Sequence, residues 1–376
     1  MANNSQLALD RDRFLAEYWQ RKPLFIPAAL PDFAPPISPD ELAGLAMEAD
    51  IESRIIDHVE GQWHLQQGPF AANDFQRNSA WTLLVQAVDH YLPEVAALRQ
   101  LIDFLPQWRV DDVMVSYAVD GGSVGPHFDN YDVFLLQGVG QRLWRLGQLC
   151  DDSTALLPHD DLRILADFQC TDEYLLGPGD ILYLPPGVAH WGVAQGECST
   201  FSIGFRAPRI NDMLSRWADN ALELLPADRF YRDAGTNAVT RAGEIREEDL
   251  QRAQQQLRDA IDSLDVADWF GELVTEPRYS AEPVTDQETE LSLLTQTAKC
   301  LSLSPESKVA WQERSERLVT FANGESAHFT HAVLPTLLIL CEKWQLEGEA
   351  LTSALAHTEC LSLLSFLLQS GAVHVE

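Results

Sequence analysis

Between residues 109 and 206 apolar positions recur at every second residue, in short runs cut by glycine and proline. "WRVDDVMVSYAV", "YDVFLLQG", "QRLWRLG", "DEYLLGPGDILYLPPG" and "STFSIGF" are each about the length of one or two strands. So many short strands with turns between them predict a sandwich or small barrel. Ahead of them, "RDRFLAEYWQRKPLFI" reads as a short helix, a proline break and a strand. "ISPDELAGLAMEA" opens a helix, with Ser38 as N-cap, Pro39 at the first helical position and Glu41 completing a capping box.

After Pro208 the period becomes helical. Met213, Leu214, Trp217, Ala218, Ala221, Leu222 and Leu225 form one stripe, with Asn211 as the expected cap. A second helix carries Leu250, Leu257, Ile261 and Leu264 and is expected to run on to Pro277. Two wide apolar stripes outside a barrel need a partner face, which is either the barrel or a second subunit. "EPRYSAEPVTDQE" (276–288) reads as a linker. Beyond it come a helix, "VAWQERS", then "RLVTFANGESAHF" with Asn323–Gly324 as a hairpin turn, then more helices. This is a small α+β module of winged-helix type, read as an interaction or dimer module.

The 46% hydrophobic content fits an ordinary globular chain, and no apolar run reaches the length of a bilayer span. "MANNSQLALDRDRF" lacks the basic and apolar regions of a signal peptide. Cys150, Cys170, Cys198, Cys300, Cys341 and Cys360 are scattered without a CxxC pair, so free thiols in a reducing, cytoplasmic setting are expected. The charge changes the picture more. The chain is net −31, with 13 basic against 29 acidic residues in 1–210 and 13 against 28 in 211–376. An excess spread this evenly serves solubility, or draws in a basic macromolecular partner. Only four lysines occur, so direct DNA binding is not expected of the winged-helix module.

The chemistry concentrates in "VGPHFDNYDVFLLQGVGQRLW" (124–144). His127 and Asp129 are two apart, so on a strand they share a face. "GPGDILYLPPGVAHWG" supplies His190 as a third ligand. Two imidazoles and a carboxylate make the facial triad of non-haem Fe(II) oxygenases, which leaves coordination positions open for a co-substrate and O₂. The competing reading is a chance HxD. In "QRLWRLG", alternation places Arg142 with Trp144 and Leu146 on the more apolar face. An unpaired buried guanidinium is costly. Either an internal carboxylate such as Asp180 pairs it, or an anionic ligand does, such as the distal carboxylate of 2-oxoglutarate.

Taken together, "GPHFDNYDVF", "QRLWRLG", "GDILYLPPGVAHWG" and "FSIGFRAP" resemble the JmjC-type, cupin-fold ribosomal oxygenases, and within them the bacterial arginine hydroxylases. "YWQRKPL", "SPDELAGLAME" and the acidic C-terminal module extend the resemblance over nearly the whole chain. It implies an α+β chain: a double-stranded β-helix (cupin/JmjC) oxygenase domain over 1–209, a helical dimerisation region over 210–285 and a winged-helix-like domain over 286–376. It implies Fe(II), 2-oxoglutarate and O₂, and hydroxylation of an arginine β-carbon in a large-subunit ribosomal protein, the sixteenth in the usual naming. The implied partners are that basic protein and a second copy of the chain, with neither DNA nor a membrane.

Residue by residue, His127, Asp129 and His190 match the iron ligands, and Arg142 the 2-oxoglutarate anchor, with Ser116 beside the co-substrate. No catalytic side chain beyond the metal centre is implied. Asp112, Tyr131 and Ser202 match positions lining the substrate-arginine pocket. By alternation Asp112 shares a face with Ser116 and Ala118, where a carboxylate suits a guanidinium. A solvated strand-start acid is the alternative, with Asp111 as rival. Tyr131 continues the His127 and Asp129 face, or packs as an ordinary core aromatic. Two positions depart from the family pattern: Ser123 stands for a glycine, which bears on loop flexibility, and Ala118 for a serine near the co-substrate. The remaining alternatives are a histidine hydroxylase of the same family, a 2-oxoglutarate-independent metal cupin enzyme, and a cupin whose metal only stabilises it.

Overall fold

The computed structural model describes residues 7–264, 268–278 and 300–375. The chain divides into two compact units, Met1–Ala207 with Ser304–Glu306, and Pro208–Leu303 with Ser307–Glu376.

In the first unit the alternating runs become strands β1 (Leu24–Ile26), β2 (Ser53–Val59), β3 (Gln62–Gln67), β4 (Trp81–Val85), β5 (Val110–Ala118), β6 (Val133–Gln137), β7 (Gln141–Leu149), β8 (Asp172–Leu176), β9 (Ile181–Leu184), β10 (Val188–Gln195) and β11 (Cys198–Phe205). One sheet runs β1-β9-β6-β11-β5-β4-β2-β3 and the other β10-β7-β8. Neighbours pair antiparallel throughout, for example Ser202 with Met114 of β5 and Leu135 of β6. This is the double-stranded β-helix that the family resemblance implies.

Period-2 alternation splits the core in two. Val113, Val115, Phe134, Leu136, Phe201 and Ile203 point to the outer side of the large sheet. There α1 (Arg11–Glu17) and α2 (Pro39–Leu45) contribute buried Phe14 and Leu42, and Phe14 meets Tyr183 edge-on with centroids 4.9 Å apart. The short α3 (Pro93–Ala96) adds Val95 to the same cluster. The capping box of α2 forms as read, with Ser38 N–H donating to Glu41 at 2.9 Å. On the inner side Val133, Leu135, Leu182 and Leu184 meet Trp144, Leu146 and Leu176 from the small sheet. The other buried inner positions are small or polar: Asp112, Ser116, Ala118, Arg142, Thr200 and Ser202.

One buried carboxylate fixes where β6 begins. Asp132 accepts from Tyr183 Oη at 2.7 Å, Gln20 Nε2 at 3.0 Å and Arg109 Nη2 at 3.1 Å. A buried charge persists only when it is satisfied in this way. Burial and then the Asp132 charge push the Tyr183 phenol well above its usual range. The network holds the chain three residues beyond Asp129.

The second unit contains α4 (Ile210–Leu224), α5 (Glu247–Asp262) and α6 (Trp269–Thr275). Asn211 does not cap α4. Arg209 is the extended residue at that position, so the helix starts at Ile210 and Asn211 falls in its first turn. Nor does α5 run to Pro277. The Ser263 hydroxyl donates to the Ala260 carbonyl at 2.8 Å as the helix stops, leaving Leu264 outside it. Then follow β12 (Cys300–Leu303), β13 (Val309–Glu313), β14 (Leu318–Ala322), β15 (Glu325–Phe329), α7 (Leu334–Lys343), β16 (Gln345–Glu347), α8 (Gly348–Ala356), α9 (Thr358–Gln369) and β17 (Val373–Val375). Asn323 and Gly324, at φ +49° and +88°, turn β14 into β15 as the hairpin signal required. Leu337, Leu340, Leu363, Leu364 and Leu367 are fully buried at the centre of this module. The linker beyond residue 278 and the helix expected after it lie outside the described residues. All six cysteines are free, and among the described residues no single helix is long and apolar enough to cross a membrane.

Candidate metal centre

The HxD segment is extended, but it is not part of a strand. His127 forms an isolated bridge with His190 of β10 through N–H···O bonds of 3.0 and 2.8 Å. Asp129 and Tyr131 lie between that bridge and Val133, where β6 begins. The same-strand argument for the pair is therefore corrected, yet its outcome holds. Phe128 is buried against Leu165 and Ala189, which turns its two neighbours to the opposite side. Gly187 N–H donates to the Asp129 carbonyl at 2.8 Å and ties the segment to the turn before β10.

His127, Asp129 and His190 each offer a ligand atom, and all three atoms lie within 4.8 Å of one another. Asp129 Oδ2 is 4.0 Å from His127 Nε2 and 3.6 Å from His190 Nε2. Ligands each roughly 2.0–2.2 Å from one ion stand at such separations. The Gly125 carbonyl lies 3.0 Å from His127 Nδ1 and the Val188 carbonyl 2.9 Å from His190 Nδ1. A carbonyl accepts only from N–H, so both rings carry the proton on Nδ1 and present the Nε2 lone pair to the centre. Burial, with His127 alongside, pushes the His190 pKa down to about 4, so that ring is neutral at neutral pH. Among the described residues this is the one cluster with metal-ligating geometry.

Two details of the loop ahead of the centre carry weight. Gly125 sits at φ +82°, and a Cβ there would come within 2.7 Å of Ile164 Cδ1. The Ser123 hydroxyl accepts from Gly125 N–H at 3.1 Å and from Trp191 Nε1 at 2.9 Å. The serine that departs from the family pattern thus fastens this loop to β10.

Arg142 is 3% exposed on the inner face of β7. Its Nε and Nη2 are buried without a hydrogen-bond partner, as is Trp144 Nε1 on the same face. The Asp180 alternative fails, because that carboxylate accepts from the Ala28 amide at 2.7 Å and the Gly177 amide at 2.8 Å. Unsatisfied buried guanidinium N–H groups are costly, and an anionic ligand reaching into the barrel would satisfy them. The residues present fit a dicarboxylate beside a metal. Ser116, 3% exposed, donates its hydroxyl to the Thr200 carbonyl at 3.5 Å. Ala118 packs with Ala194 and Cys198 and offers no hydroxyl to a co-substrate.

Of the pocket residues, Asp112 is 4% exposed and accepts from Gln86 Nε2 at 2.6 Å, so it is no solvated strand-start acid. It shares the inner face with Ser116 by alternation, whereas Asp111 takes the other face. Tyr131 is 41% exposed, two residues beyond Asp129. The charge of Asp129 pushes the phenol well above its usual range. Core packing is therefore not its role. Ser202 is buried opposite Met114 and Leu135. Two residues went unread in the sequence. Gln86 fixes Asp112, and Arg54 Nη2 lies 3.9 Å from Met114 Sδ and acts electrostatically on Tyr131. Neither carries a local signal, since each meets its partner only once the sheet has formed.

Comparison with known proteins extends the picture. A JmjC domain model matches residues 97–213, a ROXA-like winged helix model matches 242–374, and an AraC-like ligand-binding domain model matches 169–276. The chain is 34% identical to the ribosomal protein uL16 3-hydroxylase of Escherichia coli K12, over 97% of this chain and 98% of that protein. It is 34% identical to a probable ribosomal oxygenase of Haemophilus influenzae, over 83% and 80% of the two chains. Among solved structures, the E. coli ribosomal oxygenase YcfD in complex with cobalt and 2-oxoglutarate superposes with a TM-score of 0.82, at 33% identity over 99% of both chains.

Proposed function

The chain belongs to the JmjC-domain ribosomal oxygenases, and we propose that it is an Fe(II)- and 2-oxoglutarate-dependent dioxygenase that hydroxylates the β-carbon of an arginine in ribosomal protein uL16, the sixteenth of the large subunit. The observation that carries this reading is Arg142, a buried guanidinium with unpartnered Nε and Nη2 on the face that looks into the same barrel as the His127–Asp129–His190 cluster. Iron bound there would supply O₂ activation coupled to oxidative decarboxylation of 2-oxoglutarate. The protein's part is positioning. His127, Asp129 and His190 hold the metal. Arg142 grips the far carboxylate of the co-substrate, with Ser116 on the adjoining inner face. Asp112, oriented by Gln86, pairs the substrate guanidinium, and Tyr131 and Ser202 line the approach. The buried Asp112 carboxylate favours an arginine over a neutral histidine. Mass spectrometry of uL16 after incubation with the enzyme, Fe(II) and 2-oxoglutarate tests the reading. One oxygen added to an arginine is expected. An added oxygen on histidine would favour the histidine hydroxylase, and no added oxygen would end the proposal.

A homodimer through the helical region 211–275 belongs to the same reading. Leu214 and Leu222 of α4 are 62% and 68% exposed, and Leu250 and Leu257 of α5 are 49% and 65% exposed. Apolar stripes of that extent mark an interface. Sedimentation at micromolar concentration is expected to give the dimer mass, and a monomer would refute it.

The acidic surface bears on recruitment. A ribosomal protein is basic, this chain is net −31, and a field of that size speeds encounter in a salt-dependent way. Raising salt from about 50 to about 500 mM shortens the Debye length from roughly 14 to roughly 4 Å. The KM for full-length uL16 is expected to rise strongly, and the KM for 2-oxoglutarate hardly at all. An equal response from a short neutral peptide would assign the charge to solubility alone. Action on a ribosomal protein, together with six free cysteines, supports a cytoplasmic location.

A further inference from the structure

A second cavity adjoins the metal centre, on the far side of the segment that carries it. It has a volume of about 300 Å³, and its walls include His58 and Trp63 from the tip of the β2–β3 hairpin, Leu157, Ile164 and Leu165 from the loop before β8, and Trp191 of β10. His58 and Trp63 stack with centroids 4.4 Å apart. Trp191 follows the ligand His190 and so points to the other side of β10, and Pro126, just before the ligand His127, also lines the cavity. The cavity thus shares its wall with two metal ligands without belonging to their site. Room of this size, with aromatic and aliphatic walls, suits one large apolar side chain.

One of its walls comes from an acidic segment. The segment 151–167, which supplies Leu157, Ile164 and Leu165, also carries Asp151, Asp152, Asp160, Asp161 and Asp167, all exposed, against Arg163 as its one arginine or lysine. Along β2, alternation puts Arg54, Ile56 and His58 on one face. Arg54 lies by Met114 and Tyr131, at the barrel mouth, whereas His58 lines the cavity. Four residues of strand separate them, about 13 Å.

We propose that this cavity is an anchor subsite for the polypeptide substrate, taking one apolar side chain roughly four residues from the hydroxylated residue while the acidic segment holds basic flanking residues. The proposal rests on the ribosomal-protein hydroxylase reading and names what that reading leaves open, namely how the enzyme sets the register of its substrate. An anchor on the opposite side of the ligand-bearing segment fixes the chain without entering the reaction space. A small apolar molecule has no use for the acidic segment; a basic protein segment does.

The test uses full-length enzyme and labelled peptides spanning the target arginine of uL16. Leu157→Trp fills the cavity from an exposed position, and Ala80→Leu narrows it from another wall, so one misfolded variant does not end the experiment. Peptide dissociation constants are measured by anisotropy, beside KM and kcat. Either variant is expected to weaken peptide binding roughly ten- to hundredfold, the worth of one buried apolar side chain. The kcat at saturating peptide and the KM for 2-oxoglutarate should stay unchanged. A serine scan of the apolar peptide positions should find one site where the loss seen with wild type vanishes in Leu157→Trp. Unchanged affinity in both folded variants, or no coupled position, would overturn the proposal. Peptide that binds wild type without being hydroxylated would overturn the hydroxylase reading, and the binding arm would still decide the subsite.

Discussion

Asp129→Ala is expected to abolish 2-oxoglutarate turnover while leaving the fold intact. The carboxylate stands between two imidazoles, 4.0 Å from His127 Nε2 and 3.6 Å from His190 Nε2, and is the one anionic member of the cluster. Outer-shell partners of a metal site are each worth about 10–100-fold, so loss of a ligand itself should exceed the upper figure. The fold should survive because the Asp129 side chain is 24% exposed and its segment is held by backbone bonds that alanine retains, from Gly187 N–H to the Asp129 carbonyl and across the His127–His190 bridge. Relief of the charge on Tyr131 should let its phenol ionise more readily, which an ultraviolet pH titration would read in the metal-free protein. Turnover is measured at saturating Fe(II) beside a thermal melt. Near-normal turnover in a normally folded variant would rule out the triad; His127→Ala is expected to behave alike.

Most of the fold was legible because its signals are local. The Ser38–Glu41 box and the Asn323–Gly324 turn each lie within four residues, and each forms as the sequence required. Alternation within one strand puts Arg142 on the buried face, and it is there. The readings that failed or stayed open depended on partners far along the chain. The apolar residues that follow His127 and Asp129 suggest a strand, but His127 bridges to His190, 63 residues away, and β6 begins only at Val133. The shared face survived because buried Phe128 enforces the same alternation without a ladder. Asp112 looked as much like a surface acid as a buried one, because Gln86, which satisfies it, lies 26 residues upstream. The ends of α4 and α5 were misjudged for a smaller reason. Asn211 and Leu264 suit helices, but helix ends respond to neighbours such as Arg209 and Ser263, whose caps the periodicity does not report.

Arg142→Met separates a ligand anchor from a structural ion pair, because the two roles give opposite signs of stability. No group of the protein pairs Nε and Nη2, so the fold itself does not offset the burial of the guanidinium. An apolar replacement of similar length should therefore hold or raise the melting temperature in the absence of 2-oxoglutarate. With 2-oxoglutarate the order should reverse, since only the wild type gains the linkage stabilisation of a bound anion. Losing the desolvated partner of a charge pair costs about 2–5 kcal/mol. That corresponds to a rise of roughly 30-fold to several thousandfold in the KM for 2-oxoglutarate. Affinity for the metal alone should change little, since the ligands are His127, Asp129 and His190. Arg142→Lys should recover part of the loss, because an ammonium supplies the charge without the planar two-pronged grip. A folded Arg142→Met variant with unchanged KM, or with a lowered melting temperature before any co-substrate is added, would place Arg142 in the scaffold and remove the observation on which the hydroxylase reading rests.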